Sequence, residues 1–225
     1  MLKIKKMKNK NKKEKSEEMF EEAEEIKVIL VGDSGVGKTS LINSAQDIPF
    51  MEGTQISTMI CTNVKLPKEI NGKKYTIVLW DTIGQERFRS LTATFLKGSQ
   101  IVIFVFDITN QASFEGLDYW FDLIHNELGD NIIRGIVGNK KDLVDDQEVD
   151  DDLVEQYAEK KGVEFKYCSA LNSSLFKNFL EDLIRNYLEK FGKSNKDDDN
   201  GKQDKKSKKT KINKNKHSKK QNKCC

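Results

Sequence analysis

Gly32-Asp33-Ser34-Gly35-Val36-Gly37-Lys38-Thr39-Ser40 is the stretch on which the reading of this chain turns. The apolar, β-branched run Ile26-Lys27-Val28-Ile29-Leu30-Val31 precedes it and reads as a buried strand. Ser40-Leu41-Ile42-Asn43-Ser44 follows it and reads as the first turn of a helix. Strand, glycine-rich loop and helix in that order are the setting in which G-x-x-x-x-G-K-[ST] cradles phosphate. Glycines at 32, 35 and 37 admit backbone conformations that a Cβ forbids, so the amides of Ser34 through Ser40 can turn inward. Backed by a helix N-terminus, they suit α- and β-phosphates. Lys38 adds a point charge for the β/γ-phosphates, and the Thr39 hydroxyl suits Mg²⁺. The plainer alternative is a glycine turn beside a solvated lysine.

Charge is unevenly spread over the 225 residues, whose formal net charge is +3. Residues 1–25 carry 8 Lys and 7 Glu, and residues 192–225 carry 13 Lys and 4 Asp. The body between them is therefore mildly acidic, and its length suits one domain with a full core. Residues 1–25 read as a charged, disordered extension, 26–191 as the folded domain and 192–225 as a disordered basic tail. No run of 18 apolar residues occurs, and the basic N-terminus lacks the apolar core of a secretory signal. Met1-Leu2 excludes myristoylation. Cys61, Cys168, Cys224 and Cys225 do not make a disulfide framework, and a reducing cytosol is the expectation.

Past the first helix, Gln46 to Ser57 reads as an exposed loop with Pro49 and Gly53. Met59–Leu66 and Tyr75–Trp80 are strand candidates joined by an Asn71-Gly72 turn, an antiparallel hairpin in which Pro67 marks an edge. Ile101–Phe106 is continuously apolar, as a central parallel strand is. Ser113–Leu128 has helical spacing of Phe114, Leu117, Trp120, Phe121 and Ile124, with Ser113 as its N-cap. Ile132–Gly138 and Val163–Cys168 read as strands, 150–161 and Ser173–Phe191 as helices. This alternation predicts an α/β fold, a P-loop three-layer sandwich whose six-stranded sheet is mostly parallel with one antiparallel edge strand.

Three further motifs fall where such a sheet binds ligands, at carboxyl ends of strands. Asp81-Thr82-Ile83-Gly84-Gln85 offers a carboxylate for Mg²⁺ and a Gly84 amide for a γ-phosphate. Asn139-Lys140-Lys141-Asp142 suits guanine, because a carboxylate accepts from the ring N1–H and the exocyclic amine. Ser169-Ala170 supports the same base. In this order and at these strand ends, the set is far more specific than any member alone.

Residues 26–191 resemble a Ras-superfamily small GTPase of the Rab family. The resemblance rests on Gly32–Ser40, Asp81–Gln85, Asn139–Asp142 and Ser169–Ala170. It leans to Rabs through Trp80-Asp81-Thr82, Arg87–Thr92, Phe104–Thr109, Ser113-Phe114 and Trp120. It implies that Lys38 and the amides of Gly35, Val36 and Gly37 hold phosphate, and that Thr39, Thr58 and Asp81 serve Mg²⁺. Spacing to Asp81 selects Thr58 as the switch threonine, with Ser57 the fallback. Phe50 would stack on guanine, Gln85 would orient the attacking water, and Asn139, Lys140, Asp142, Ser169, Ala170 and Leu171 would surround the base. GTP or GDP with Mg²⁺ is the implied bound state, and slow phosphoryl transfer to water the implied reaction. Catalysis would rest on Gln85, Lys38 and Thr58. Implied partners are an exchange factor, a GAP, a GDP-dissociation inhibitor, prenylation machinery and effectors of a monomeric switch, with no nucleic acid.

Departures from the family pattern are Ile83 in place of alanine, Asn63 in place of an aromatic, and Leu171 in place of lysine. The chain closes on Lys223-Cys224-Cys225, which is not a C-a-a-X box but matches the doubly geranylgeranylated Rab ending. Two lipids and a lysine-rich linker suit the cytoplasmic face of an intracellular or plasma membrane, with a cytosolic pool. Vesicle traffic is the implied setting. Alternatives are a scarcely hydrolysing guanine-nucleotide scaffold outside vesicle transport, a P-loop kinase or ATPase, and a lysine-tail nucleic-acid binder.

Overall fold

The computed structural model describes residues 23–51, 61–82 and 94–192. Thr58, Ser57, Ile83, Gly84, Gln85, Cys224 and Cys225 lie outside them, as do residues 1–22 and 193–225.

Six strands form one sheet: β1 (Glu24–Val31), β2 (Thr62–Ile70), β3 (Lys73–Asp81), β4 (Ile101–Asp107), β5 (Ile133–Asn139) and β6 (Glu164–Tyr167). Their spatial order is β2-β3-β1-β4-β5-β6. All neighbours run parallel except β2 and β3. The expected α/β fold is therefore present, and Pro67 sits on the edge strand β2, where a missing N–H is harmless. The β2–β3 hairpin turns through Asn71 (φ 53°) and Gly72 (φ 76°), the two left-handed residues that a two-residue turn needs to match strand twist.

The helices are α1 (Lys38–Ala45), α2 (Gln111–Glu115), α3 (Leu117–Leu128), α4 (Asp151–Lys161) and α5 (Ser173–Phe191), with a 3₁₀ turn at Lys141–Asp146. Side chains alternate across a strand, so each central strand feeds two cores. Ile26, Val28, Leu30, Ile101, Ile103 and Val105 pack with Leu41 and Ile42 of α1 and Phe176, Leu180 and Leu183 of α5. Ile29, Val31, Val102, Phe104 and Phe106 pack with Leu117, Trp120 and Ile124 of α3 and Val154 of α4. Phe104 and Phe121 stack with ring centres 3.8 Å apart. Each such fully buried side chain contributes about 1.5–3 kcal/mol of transfer free energy. The layers are thus helix, sheet, helix.

Two local expectations are corrected. Ser113 is not an N-cap: Asn110 is, its Oδ1 accepting the Ser113 N–H at 3.2 Å. The Ser113 hydroxyl is instead buried, accepting the Asp107 N–H at 3.0 Å. The single helix over 113–128 is two, α2 and α3, parted at Gly116, the residue of lowest helix propensity in that span. In addition, β1 starts at Glu24, two residues before the apolar run. Glu24 and Glu25 extend it by pairing with Lys73 and Lys65 on the hairpin.

Candidate functional site

Chain order reverses about β1, whose neighbours are β3 and β4. The carboxyl ends of these strands bound the crevice where open α/β sheets take ligands. Gly32–Gly37 spans from the end of β1 to the start of α1, and Gly32, Gly35 and Gly37 all take positive φ, at 147°, 80° and 92°. Lys38 opens α1 and is only 5% exposed. Its Nζ donates to the carbonyls of Gly32 and Asp33, each at 2.7 Å, so the ammonium is folded back over the loop. Burial lowers its pKa to about 8, against the opposing pull of Asp81 and Asp33. Such a buried cation favours an anion placed beside it.

Thr39 and Asp81 meet from separate elements. The Thr39 hydroxyl donates to Asp81 Oδ2 at 2.6 Å, joining the start of α1 to the end of β3. Hard oxygens side by side are the donor type Mg²⁺ takes. Thr82 is fully buried, and its hydroxyl donates to the Leu30 carbonyl at 2.7 Å, holding the exit of β3 against β1.

The end of β5 closes on the same loop. Asn139 Nδ2 donates to the Val36 carbonyl at 2.8 Å, across 103 residues of sequence. A Cβ on Gly37 would stand 2.3 Å from that nitrogen, so glycine is required there by space as well as by φ. Asn139 Oδ1 is buried with no hydrogen-bond partner among the described residues. An orphaned buried acceptor costs about 1–3 kcal/mol unless a ligand or water satisfies it. Lys140 takes the left-handed conformation, φ 67°, and its Nζ lies 2.5 Å from Asp107 Oδ2. Ser169 donates to Asp142, and its Oγ in turn accepts the Leu171 N–H at 3.1 Å. The Lys141 N–H to Cys168 carbonyl bond, 3.0 Å, stitches the two loops together. Burial pushes the Cys168 thiol up to about 12, which makes it an inert core residue.

A model of the Ras family matches residues 27–189. The chain is 38% identical over 149 residues to the Ras-related protein Rab-1D of Dictyostelium discoideum, covering 66% of this chain and 72% of that one. It is 33% identical over 173 residues to the GTP-binding protein YPT1 of Saccharomyces cerevisiae, 75% and 82%. With the Ras-related protein Rab-26 of Bos taurus it shares 37% over 144 residues, 64% of this chain but only 56% of that protein.

The chain is a Rab-type small GTPase of the Ras family.

In this GTPase, Ser34 through Gly37, Asp81, Asn139, Lys140, Asp142, Ser169, Ala170 and Leu171 lie at the carboxyl edge of β1, β3, β5 and β6 or on the segments leaving it, and Lys38, Thr39 and Ser40 form the first turn of α1. Phe50 is exposed in the loop after α1, and no ring packs on it among the described residues. Leu171, at 61% exposure, offers the loop its backbone amide rather than its side chain. Sequence reasoning passed over Asp107, the partner of Lys140, whose Oδ1 also accepts from the Thr109 N–H and hydroxyl at 3.0 and 2.8 Å. Its signal was a carboxylate closing an otherwise apolar strand. It also passed over Asp33 as anything beyond a loop residue, and gave Trp120 no role at the site. Among the described residues no helix is long and apolar enough to cross a membrane.

Proposed function

We propose that this GTPase is a membrane-recruited switch that binds GTP or GDP with Mg²⁺, hydrolyses GTP slowly and engages effectors in its GTP state. The observation that supports the reading best is the Asn139–Val36 bond, which ties the end of β5 to the Gly32–Ser40 loop. The amides of Ser34 to Ser40 and Lys38 would grip the phosphates. Asp142, oriented by Ser169, would accept from guanine N1–H and its amine, while Lys140, anchored on Asp107, and Ala170 flank the base. Adenine lacks that donor pair and is rejected because the carboxylate would be left unsatisfied.

Thr39 and Asp81 would hold a Mg²⁺ ion, and Thr58 would be a further ligand in the GTP state. When bound, the ion neutralises charge on the β- and γ-phosphates. Gln85 orients the attacking water and the Gly84 amide meets the γ-phosphate. Among the assigned site residues no arginine faces the γ-phosphate, so turnover is slow until a GAP supplies the missing charge. Loss of the γ-phosphate releases the segments around Thr58 and Gln85, and partner choice follows. Phe50 would stack on the base, moving to do so from its exposed position. Residues 26–191 form the switch, residues 1–25 an extension, and 192–225 a basic linker carrying lipid on Cys224 and Cys225 to an organelle or plasma membrane. Exchange factor, GAP, GDP-dissociation inhibitor and prenylation enzymes are its partners in this reading.

Extraction of the purified full chain should yield bound GDP or GTP, and single-turnover hydrolysis should slow in Gln85→Leu. A protein that emerges empty and refuses both nucleotides at micromolar supply ends this reading. Deleting Cys224 and Cys225 should shift the protein from membrane to soluble fractions; an unchanged membrane fraction excludes the lipid anchor.

A further inference from the structure

Asp33 is the acidic residue of the Gly32–Ser40 loop, and nothing in the reaction above uses its side chain. A fixed carboxylate beside a polyphosphate site opposes the ligand, and more so in a partly dry pocket. Its charge is within electrostatic reach of Lys38, and its own carbonyl accepts from Lys38 Nζ at 2.7 Å. The carboxylate is nevertheless directed into the opposite helical layer. Trp120, 1% exposed in α3, donates its indole N–H to Asp33 Oδ1 at 2.9 Å. Indole is a donor only, so this bond has one polarity. Room for the other oxygen comes from Gly116: a Cβ there would stand 2.7 Å from Asp33 Oδ2. Gly116 has an ordinary helical φ of −63°, so the glycine is needed for the space and not for the backbone.

We propose that Trp120 is a positioning residue that holds the Asp33 carboxylate on α3, off the phosphate loop, and thereby sets how long the terminal phosphates are retained. This rests on the nucleotide-binding reading above. The Lys38 ammonium is then left to the ligand, because the Asp33 carboxylate is hydrogen-bonded to the indole instead. Freed from the indole, the carboxylate repels the ligand in proportion to its charge. GTP, with one more negative charge than GDP, suffers more.

The test uses the full chain loaded with fluorescent GDP or a non-hydrolysable GTP analogue, and follows release during a chase. Trp120→Phe and Gly116→Ala should each speed release of the GTP analogue about tenfold, the loss of one charge-assisted hydrogen bond, and of GDP less. Adding Asp33→Asn to either variant should restore slow release, since the amide carries no charge. Only two tryptophans are present, so the Trp120 indole N–H signal is identified by its loss in Trp120→Phe. That signal should move in Gly116→Ala. Trp120→Phe also empties core volume, whereas Gly116→Ala leaves the core intact and decides the matter if the first variant melts. Release at the wild-type rate in Gly116→Ala overturns the proposal. So does equal acceleration of both nucleotides that Asp33→Asn does not reverse, which would leave Trp120 as packing alone. A wild-type chain that binds neither nucleotide sinks the underlying function, a result separable from both of these.

Discussion

The Thr39 hydroxyl donates to Asp81 Oδ2 at 2.6 Å, bridging 42 residues of sequence and two elements of the fold. This contact brings two of the three expected Mg²⁺ ligands to one point. Asp81→Asn keeps the shape but removes the one anionic side chain of this pair. Nucleotide release from the wild type should accelerate when EDTA is added, whereas release from Asp81→Asn should already be fast and nearly indifferent to EDTA. Equal chelator sensitivity in both would remove Asp81 from the metal site.

Lys38 makes binding depend on pH. Its pKa is lowered to about 8 in the folded chain by burial, below its ordinary value of 10.5. Between those values the unfolded chain holds the proton more tightly, so stability of the nucleotide-free protein should rise as pH increases from about 8 towards 10.5. Ligand affinity should move the other way, because the phosphates need the charged amine. Thermal melts and nucleotide titrations across this window check both signs, and Lys38→Met should flatten the two trends together.

Two glycine-to-alanine changes separate binding from stability. At Gly37 a Cβ would strike Asn139 Nδ2 at 2.3 Å and break the bond to Val36, so Gly37→Ala should abolish nucleotide retention. At Gly72 a Cβ meets nothing within 4 Å, but φ is 76°. Gly72→Ala should cost about 1–2 kcal/mol in denaturant unfolding while leaving nucleotide affinity untouched.

Asp142 is held by the Ser169 hydroxyl. Asp142→Asn replaces an acceptor by a donor, which matches a purine bearing a carbonyl in place of the guanine amine. Competition binding should show GTP weakened by at least about tenfold and xanthosine triphosphate strengthened, consistent with one mismatched charged hydrogen bond. An unaltered preference for GTP would take Asp142 out of base recognition.

The pattern of residues alone determined the element types, the hairpin turn and the α/β class. Period-2 and period-3.6 apolar spacing, left-handed turn residues and a proline on an edge are local features that need no partner to be read. The order of the four site motifs was equally legible, because each follows a strand and a parallel sheet gathers strand ends on one side. Tertiary structure alone decided which groups meet. Asn139 could not be assigned to the Val36 carbonyl, nor Lys140 to Asp107, nor Trp120 to Asp33, since 103, 33 and 87 residues separate those pairs. Such contacts depend on sheet register and on which face each helix covers, and neither is written in any short window. The same holds for the cap at Asn110 and the break at Gly116, where a carboxylate from the phosphate loop lies against the helix.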